Sequence, residues 1–234
     1  MLVKDCLQML GYSAKDSNEL CLYANLICPY SQRIVLALEA LEINYIHNEI
    51  DFVLKPEQFE NISPFGKVPL VKVKSFYLFG SMSILTYVNT QYQNALMPYD
   101  IEKNALLHSW SVAIDDIHRS LRAVFTEKDT ITFNECIKMF RKQLEILWQS
   151  PLNIKKDSFD LLDIYAAPLL VLTSAIEMLG EINLIPDEFR DLLSHYESIL
   201  PISTIDNPRY RKEIRLFLIE NNSALHQQFK AMNC

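Results

Sequence analysis

The sequence of 234 residues lacks any cysteine pair at the spacing of a zinc site, and it lacks the cysteine framework of a small secreted domain. Its five cysteines, an odd number, stand far apart at positions 6, 21, 28, 136 and 234. Structural zinc sites need closely spaced ligands, and disulfide-stabilised domains carry even sets of cysteines. The sequence therefore predicts no metal site and a reducing compartment, so we expect a cytoplasmic protein.

The sequence also lacks a membrane-length apolar run and an excess of positive charge. Its most apolar stretch, residues 164–179, contains Pro168 and Glu177 and falls below the ~18 apolar residues that span a bilayer. Lys4 and Asp5 interrupt the N-terminal stretch, so no signal peptide is expected. A formal net charge of −7 disfavours a nucleic-acid surface built on bulk charge. We therefore expect neither a membrane nor a nucleic acid as a direct partner.

What the sequence does contain is enough apolar material for two domains. Half of its residues are apolar and 22% are charged, and it has no internal repeat or low-complexity tract. Such a composition supports a buried core, and the length suits two small cores. We expect an N-terminal arm at 1–19, a thioredoxin-like domain at 20–93, a linker at 94–102 and an all-helical domain at 103–234.

Strand patterns are confined to the first of these domains. The predicted strands are residues 20–23, 44–50, 70–73 and 76–79, and the predicted helices start at Pro29, cover 56–61, and run from Ser81 to about Gln93. This β-α-β-α-β-β-α order matches a thioredoxin-like domain that begins with a βαβ unit and ends with a hairpin and a helix. Only helices are predicted beyond it, at 102–125, 133–148, 160–180, 187–198 and 208–230.

The motif Cys28-Pro29-Tyr30-Ser31 lies between the first predicted strand and the first predicted helix. A thiol there faces the unpaired N–H groups of a helix start, which favour the nucleophilic thiolate. Pro29 suits the first helical turn because it has no N–H to leave unpaired. Ser31 stands where a dithiol motif has its second cysteine, so a mixed disulfide at Cys28 needs an external thiol such as glutathione to resolve it. The alternative is a buried, inert cysteine.

Two further positions are candidates for a ligand site. Val68-Pro69 opens a predicted strand, and a cis bond there would turn the Val68 backbone towards a peptide-like ligand. The alternative is an ordinary proline at a strand entry. Ser81 follows Gly80 and can cap the next helix, where its hydroxyl and the backbone N–H groups would form an anion site for a carboxylate. The alternative for Ser81 is a plain helix cap.

Three segments of the sequence together resemble the cysteine-type glutathione transferases. They are residues 28–33 (Cys-Pro-Tyr-Ser-Gln-Arg), 55–59 (Lys-Pro-Glu-Gln-Phe) and 62–69 (Ile-Ser-Pro-Phe-Gly-Lys-Val-Pro). They are similar to the omega class and the plant dehydroascorbate reductases, and the first is also similar to chloride intracellular channel proteins. A weaker resemblance continues in the second half, where the family has a helix-capping motif. Asp160 fits its N-cap and Asp163 its third helical position.

The resemblance implies a glutathione transferase fold, glutathione as a co-substrate, and thiol transferase or dehydroascorbate reductase activity. Cys28 would be the catalytic thiol that bonds to the glutathione sulfur, and Tyr30 would wall the site. Val68 would pair with the cysteinyl part of glutathione, Ser81 with the γ-glutamyl carboxylate, and Lys67 with the glycyl carboxylate. The implied glutathione-binding residues are Pro29, Tyr30, Lys67, Val68, Pro69 (as a cis-proline), Gly80 and Ser81.

The sequence departs from this family at two positions. Gly80 stands where the family has an acidic or amide residue, so no side chain meets the ammonium group of glutathione. A lost charge-assisted hydrogen bond costs roughly 1.5–3 kcal/mol, which weakens binding roughly ten- to a hundredfold. Val53 stands where omega-class proteins tend to have a lysine.

These departures leave a second class of function open. Stringent starvation protein A and its relatives share this fold, and some keep a similar Cys-Pro-Tyr-Ser segment. They bind RNA polymerase without glutathione chemistry, so a degraded glutathione site would favour a regulator of that kind. The family architecture also implies a homodimer.

One helix of the second domain carries candidates for a second-substrate pocket. Trp110, Asp115 and His118 lie within the first predicted helix of that domain, which usually walls the pocket in this fold. The alternative is an ordinary solvated or packed helix face.

Overall fold

The computed structural model describes residues 20–25, 27–51, 55–56, 59–74, 76–92, 96–97, 99–151, 159–199, 208–221 and 224–225. The predicted arm at 1–19 and Val53 lie outside these residues. The chain divides into two compact units, Met1–Ala95 and Leu96–Cys234.

A four-stranded mixed sheet forms the centre of the first unit. Its strands are β1 (Leu20–Ala24), β2 (Tyr45–Glu49), β3 (Leu70–Val73) and β4 (Phe76–Phe79). They lie in the order β2-β1-β3-β4, and β1 pairs with β2 in parallel. β3 pairs with both β1 and β4 in antiparallel fashion, so the predicted hairpin is confirmed.

Three helices accompany this sheet: α1 (Pro29–Ala40), α2 (Phe59–Ile62) and α3 (Ser81–Gln91). α1 packs against α3, and both helices bury apolar side chains completely, Ile34 and Leu38 from α1 and Ile84 and Leu85 from α3. Burial of that kind gives roughly 1.5–3 kcal/mol for each large side chain. The thioredoxin-like order predicted from the sequence is confirmed. The helix predicted at 56–61 is shorter than expected at its start, because Pro56 is not helical and α2 begins at Phe59, and it includes Ile62, one residue past the predicted end.

All the regular secondary structure described in the second unit is helical. Its elements are α4 (Ile101–Thr126), α5 (Thr130–Trp148), α6 (Leu161–Gly180), a 3-10 turn (Asp187–Phe189), α7 (Arg190–Ile199) and α8 (Pro208–Asn221). Aspartate side chains cap the N-termini of α4 and α5. Asp100 accepts a hydrogen bond from Lys103 N, and Asp129 accepts one from Thr132 N. The prediction of an all-helical second half is confirmed for the described residues.

Helix α6 is the core of the second unit. Asp160 N donates to Asp163 Oδ2 at 2.9 Å, and Leu162 N donates to Asp160 Oδ1 at 2.8 Å. This is the capping arrangement that the sequence predicted at these two aspartates. Tyr196 adds a third bond from α7, because its hydroxyl donates to Asp163 Oδ1 at 2.7 Å.

By length and composition α6 is also apolar enough to cross a membrane, as one helix found among the described residues. However, 83% of its most apolar window is buried inside the protein. That burial is typical of a core helix.

Candidate functional site

Cys28 lies at the end of the connection between β1 and α1. It occupies the N-cap of the helix, and its carbonyl accepts hydrogen bonds from Ser31 N and Gln32 N at 3.0 Å each. Pro29 fills the first helical position without leaving an unpaired N–H. Only 8% of Cys28 is exposed. The predicted placement of the thiol at a helix start is therefore present, but the thiol is buried.

A loop from Ser63 to Lys67 brings Val68 next to Cys28. The Ser63 hydroxyl accepts from Lys67 N at 3.0 Å and donates to Lys67 O at 2.9 Å, which closes the loop. The Cys28 thiol then lies 4.0 Å from the carbonyl oxygen of Val68, 40 residues further along the chain. The Val68–Pro69 peptide bond is cis.

The Gly80–Ser81 junction comes from the same edge of the sheet. β3 starts at Leu70, which is paired with Tyr23 near the end of β1 and with Phe79 at the end of β4. The chain therefore leaves β1 towards Cys28, enters β3 from Val68, and leaves β4 towards Gly80, all at one edge.

The helix cap at this junction differs from the expectation. Gly80 is the N-cap of α3, and Ser81 is the first helical residue, half-buried. Gly80 has φ 81° and ψ 119°, a conformation that residues with a Cβ rarely adopt. The prediction that Ser81 caps the helix is therefore wrong, because a glycine is needed at the position where the chain reverses into the helix.

The electrostatics of Cys28 also correct an expectation. Burial raises the pKa of the Cys28 thiol above its usual value, and this effect is the largest. The Ser31 hydroxyl, the backbone N–H groups of Ser31 and Tyr30, and the charge of Arg33 all lower it, but they do not outweigh burial. In the ligand-free chain the groups at the helix start thus reduce the rise in the pKa of Cys28, but the thiol stays protonated at neutral pH.

Three residues of this region were not singled out from the sequence. Arg33 is fully buried on α1, and its guanidinium lies 4.7 Å from the centre of the Tyr30 ring, so it supports the ring expected to wall the site. Lys55 Nζ donates to Gly66 O at 2.6 Å and braces the loop that leads to Val68. Asn25, at the end of β1, is 6% exposed and bonds to the turn before Cys28. Arg33 and Lys55 stand in two of the segments that carry the resemblance, which gave them no role, and the sequence signal of Asn25 is a polar residue directly after an apolar strand.

The remaining predicted residues are spread over both units. Lys67 is exposed in its loop of the first unit, and Tyr30 is half-buried at the start of α1. In the second unit, Trp110 and Asp115 are half-buried on α4, while His118 is buried. No group of three or more metal-ligating side chains occurs among the described residues.

Comparison with known proteins finds similarity within the first unit. Residues 27–91 match the model of the family described as glutathione S-transferase, N-terminal domain. The chain is 33% identical over 76 residues to the rice (Oryza sativa subsp. japonica) probable glutathione S-transferase DHAR2, chloroplastic, covering 32% of this chain and 28% of that protein. It is 53% identical over 45 residues to the Arabidopsis thaliana probable glutathione S-transferase DHAR4, covering 19% and 21%. The chain therefore matches less than a third of the length of these relatives.

Solved structures extend the similarity to both units. Glutathione transferase Omega 3C from Trametes versicolor matches with a TM-score of 0.66 at 22% identity, over 84% of this chain and 89% of that one. A glutathione S-transferase-I bound with lactoylglutathione matches with a TM-score of 0.62 at 18% identity, over 79% and 99%. At such identities these matches establish the fold. Residues 27–91 thus match the glutathione S-transferase N-terminal domain family, and the chain has the glutathione transferase fold.

Proposed function

We propose that this protein is a glutathione-dependent thiol transferase or reductase in which Cys28 forms a mixed disulfide with glutathione. The observation that carries the proposal is the Cys28 thiol at the start of α1, 4.0 Å from the Val68 carbonyl oxygen. A thiol beside the backbone that leads into a strand can meet the sulfur of a short peptide that pairs with that backbone. The similarity to plant glutathione S-transferases and to a protein bound with lactoylglutathione supports this ligand class.

The proposed reaction has two thiol–disulfide exchanges. The Cys28 thiolate attacks the glutathionyl sulfur of a mixed disulfide R–S–S–G; that S–S bond breaks, and R–S⁻ leaves and takes a proton from water. The thiolate of a second glutathione then attacks the glutathionyl sulfur on Cys28, which releases oxidised glutathione and restores the Cys28 thiolate. Overall, R–S–S–G is reduced to R–SH and one glutathione is oxidised. With dehydroascorbate as substrate, two glutathiones would supply the two electrons and two protons.

The raised pKa of Cys28 gives this reaction a pH dependence. Only the thiolate attacks, and burial keeps the thiol protonated at neutral pH in the ligand-free chain. We therefore expect the rate of the first exchange to rise with pH through the neutral range and into the alkaline range. The Ser31 hydroxyl partly offsets the effect of burial on the pKa of Cys28, because it hydrogen-bonds the Cys28 sulfur and favours the thiolate.

The other proposed contacts follow the resemblance. Val68 would pair its backbone with the cysteinyl part of glutathione, Ser81 would donate a hydrogen bond to the γ-glutamyl carboxylate near the start of α3, and Lys67 would approach the glycyl carboxylate. Lys67 is exposed in a loop, so a carboxylate can reach it. Trp110 and Asp115 stay candidates for contacts with the second substrate, whereas the burial of His118 favours a packing role for that residue.

A specific observation keeps the regulator as a second candidate. Position 80 has no side chain for the ammonium group of glutathione, and its backbone has the φ of 81° that suits glycine. A weakened glutathione site would fit a protein that binds RNA polymerase, as the stringent starvation protein A relatives do. The two candidates differ in whether the wild-type protein binds glutathione at all.

We also propose a cytoplasmic homodimer. The chain mass is 27.2 kDa, so light scattering should report a particle of twice that mass. A monomer at micromolar concentration would contradict the dimer without affecting the proposed reaction.

The proposed function is tested by assaying the reduction of a glutathione mixed disulfide and of dehydroascorbate, together with calorimetric titration of glutathione. Wild type should bind glutathione and reduce at least one substrate, and Cys28→Ser should lose the reduction. A wild type that shows neither binding nor reduction but co-purifies with RNA polymerase would replace the enzyme by the regulator. Full reductase activity in Cys28→Ser would mean that the nucleophile is misassigned.

A further inference from the structure

A buried asparagine stands three residues before Cys28. Asn25 follows the last residue of β1 and is 6% exposed. Its carboxamide uses both ends: Nδ2 donates to Ile50 O at 2.8 Å, and Oδ1 accepts from Ile27 N at 3.0 Å. The first bond ties Asn25 to the residue that follows β2, and the second closes the turn that leads to Cys28. The conformation of residue 25 is therefore fixed by its side chain.

The backbone of Asn25 in turn contacts the reactive motif. Its carbonyl accepts from Cys28 N at 3.2 Å, and its N–H donates to Ser31 Oγ at 3.3 Å. The Ser31 hydroxyl hydrogen-bonds the Cys28 sulfur. A hydroxyl has one proton and two acceptor lone pairs. The Asn25 N–H occupies one acceptor lone pair of Ser31, which holds the hydroxyl in place while its proton stays available to the sulfur.

We propose that Asn25 is a positioning residue for Cys28, in which the carboxamide fixes the turn that holds the Ser31 hydroxyl against the Cys28 sulfur. Among the hydrogen bonds that Asn25 makes with described residues, three end within the segment 27–31, on Ile27 N, Cys28 N and Ser31 Oγ. A residue that only filled the core would have no need to reach all three. The biological meaning of this role rests on the proposed function, but the role itself concerns only the reactivity of the thiol.

The test is the rate at which iodoacetamide alkylates Cys28, followed over a pH series and resolved by mass spectrometry of the Cys28 peptide. No glutathione is present, so the result does not depend on the proposed reaction. The variants are Asn25→Ala, Ser31→Ala and the double variant. Asn48→Ala is the matched control, because Asn48 is equally buried, at 6%, in the neighbouring strand β2.

We expect Asn25→Ala to alkylate about three- to tenfold more slowly than wild type near neutral pH, the effect of one lost hydrogen bond. Its rate profile should move to higher pH. In the Ser31→Ala background the same substitution should change the rate little, because the hydroxyl through which it acts is gone. Asn48→Ala should keep the wild-type pH profile even where it lowers the melting temperature.

Three outcomes would overturn the inference: an Asn25→Ala profile that coincides with wild type, an equal shift in Asn48→Ala, or effects of Asn25 and Ser31 that simply add. If Asn25→Ala does not fold, Asn25→Ser takes its place, because a serine hydroxyl can still accept from Ile27 N–H. It should then lie between wild type and Ser31→Ala, and a wild-type profile would again overturn the inference. Should wild type lack glutathione chemistry while these shifts are found, the proposed function fails and the role of Asn25 stands.

Discussion

The two units of this chain use their buried polar groups differently. In the first unit, hydrogen bonds from Asn25 and Ser31 converge on the segment that carries Cys28. In the second unit, buried polar groups join one helix to another: Tyr196 of α7 donates to Asp163 of α6. No thiol lies in that contact.

A second contact in the second unit has the same character. Glu177 of α6 accepts from Arg190 Nη1 at 2.7 Å and from Leu184 N at 2.7 Å and Ile185 N at 2.9 Å. The carboxylate thereby ties the end of α6 to the loop that follows and to α7. Burying a polar group costs free energy unless the group is hydrogen-bonded, so a buried polar side chain is expected to have hydrogen-bond partners. In the second unit these hydrogen bonds stabilise the packing of helices, and in the first unit they fix the position of a thiol.

This difference predicts that substitutions in the two units affect different measurements. Polar substitutions near Cys28 should change reactivity more than stability. Polar substitutions around α6 should change the free energy of unfolding and leave the activity of each folded molecule alone.

The largest effect is expected for Cys28→Ser. A serine hydroxyl is a far weaker nucleophile and leaving group than a thiolate, so reduction of a glutathione mixed disulfide should fall by about a thousandfold or more. The free energy of unfolding should change by less than ~1.5 kcal/mol, since the two side chains are close in size. The control is Cys136→Ser, which changes a half-buried thiol of α5. Equal losses of activity in both variants would point to a general effect on the fold.

Much of this arrangement follows from local sequence. The positions of β3 and β4 agree with the expectation at both ends, because two short apolar runs and a two-residue connection leave few choices. The resemblance to the family implied a capping pair at Asp160 and Asp163, and this pair is also local, since both partners lie within one helical turn.

The parts that sequence patterns missed depend on long-range contacts. The raised pKa of Cys28 comes from burial, which no local motif records. Asn25 bonds to Ile50, 25 residues away, and Lys55 to Gly66, so neither role is visible before the sheet is assembled. Ser81 was expected to be the cap of α3, but the backbone turn at Gly80 moved the cap back by one residue.

The next largest effect is expected for Asp163→Ala in the second unit. It removes the acceptor of the buried Tyr196 hydroxyl and half of the capping pair with Asp160. We expect a loss of about 2–5 kcal/mol in the free energy of unfolding, the sum of a lost cap and an unsatisfied buried hydroxyl. Urea unfolding measures it, with the exposed Asp191→Ala as the control. A loss below ~1 kcal/mol would contradict a structural role for this carboxylate.

Glu177→Gln should give a smaller, pH-dependent effect. Burial alone would raise the pKa of Glu177, but hydrogen bonds from Arg190, Ile185 N–H and Leu184 N–H lower it below its usual value overall. A carboxylate with a lowered pKa in the folded state adds stability above its unfolded pKa, and that stability is lost as the pH falls through the folded pKa.

We therefore expect Glu177→Gln to be about 1–3 kcal/mol less stable than wild type near neutral pH. The difference should shrink below about pH 4, where the unfolded chain also binds the proton. Urea unfolding at several pH values measures this difference, and Glu188→Gln, an exposed glutamate of the 3-10 turn, is the control. A difference that stays constant with pH would show that the charge of Glu177 is not involved.

The smallest effect, on glutathione affinity, concerns Gly80, which stands where the family that the sequence resembles has an acidic or amide residue. A Cβ at this position would meet only Ser83 Oγ, at 3.9 Å, so there is room for a side chain, but the φ of 81° strains any residue other than glycine. Gly80→Ala and Gly80→Glu should therefore both lose about 1–3 kcal/mol of stability.

Only the glutamate can meet the ammonium group of glutathione. We expect Gly80→Glu to bind glutathione about tenfold more tightly than Gly80→Ala in calorimetric titration, because one charge-assisted hydrogen bond is added. The comparison between two equally strained variants removes the backbone effect from the measurement. Equal affinities would mean that position 80 does not face the ligand's ammonium group, and the proposed orientation of glutathione along the edge formed by Cys28, Val68 and Ser81 would have to be reversed.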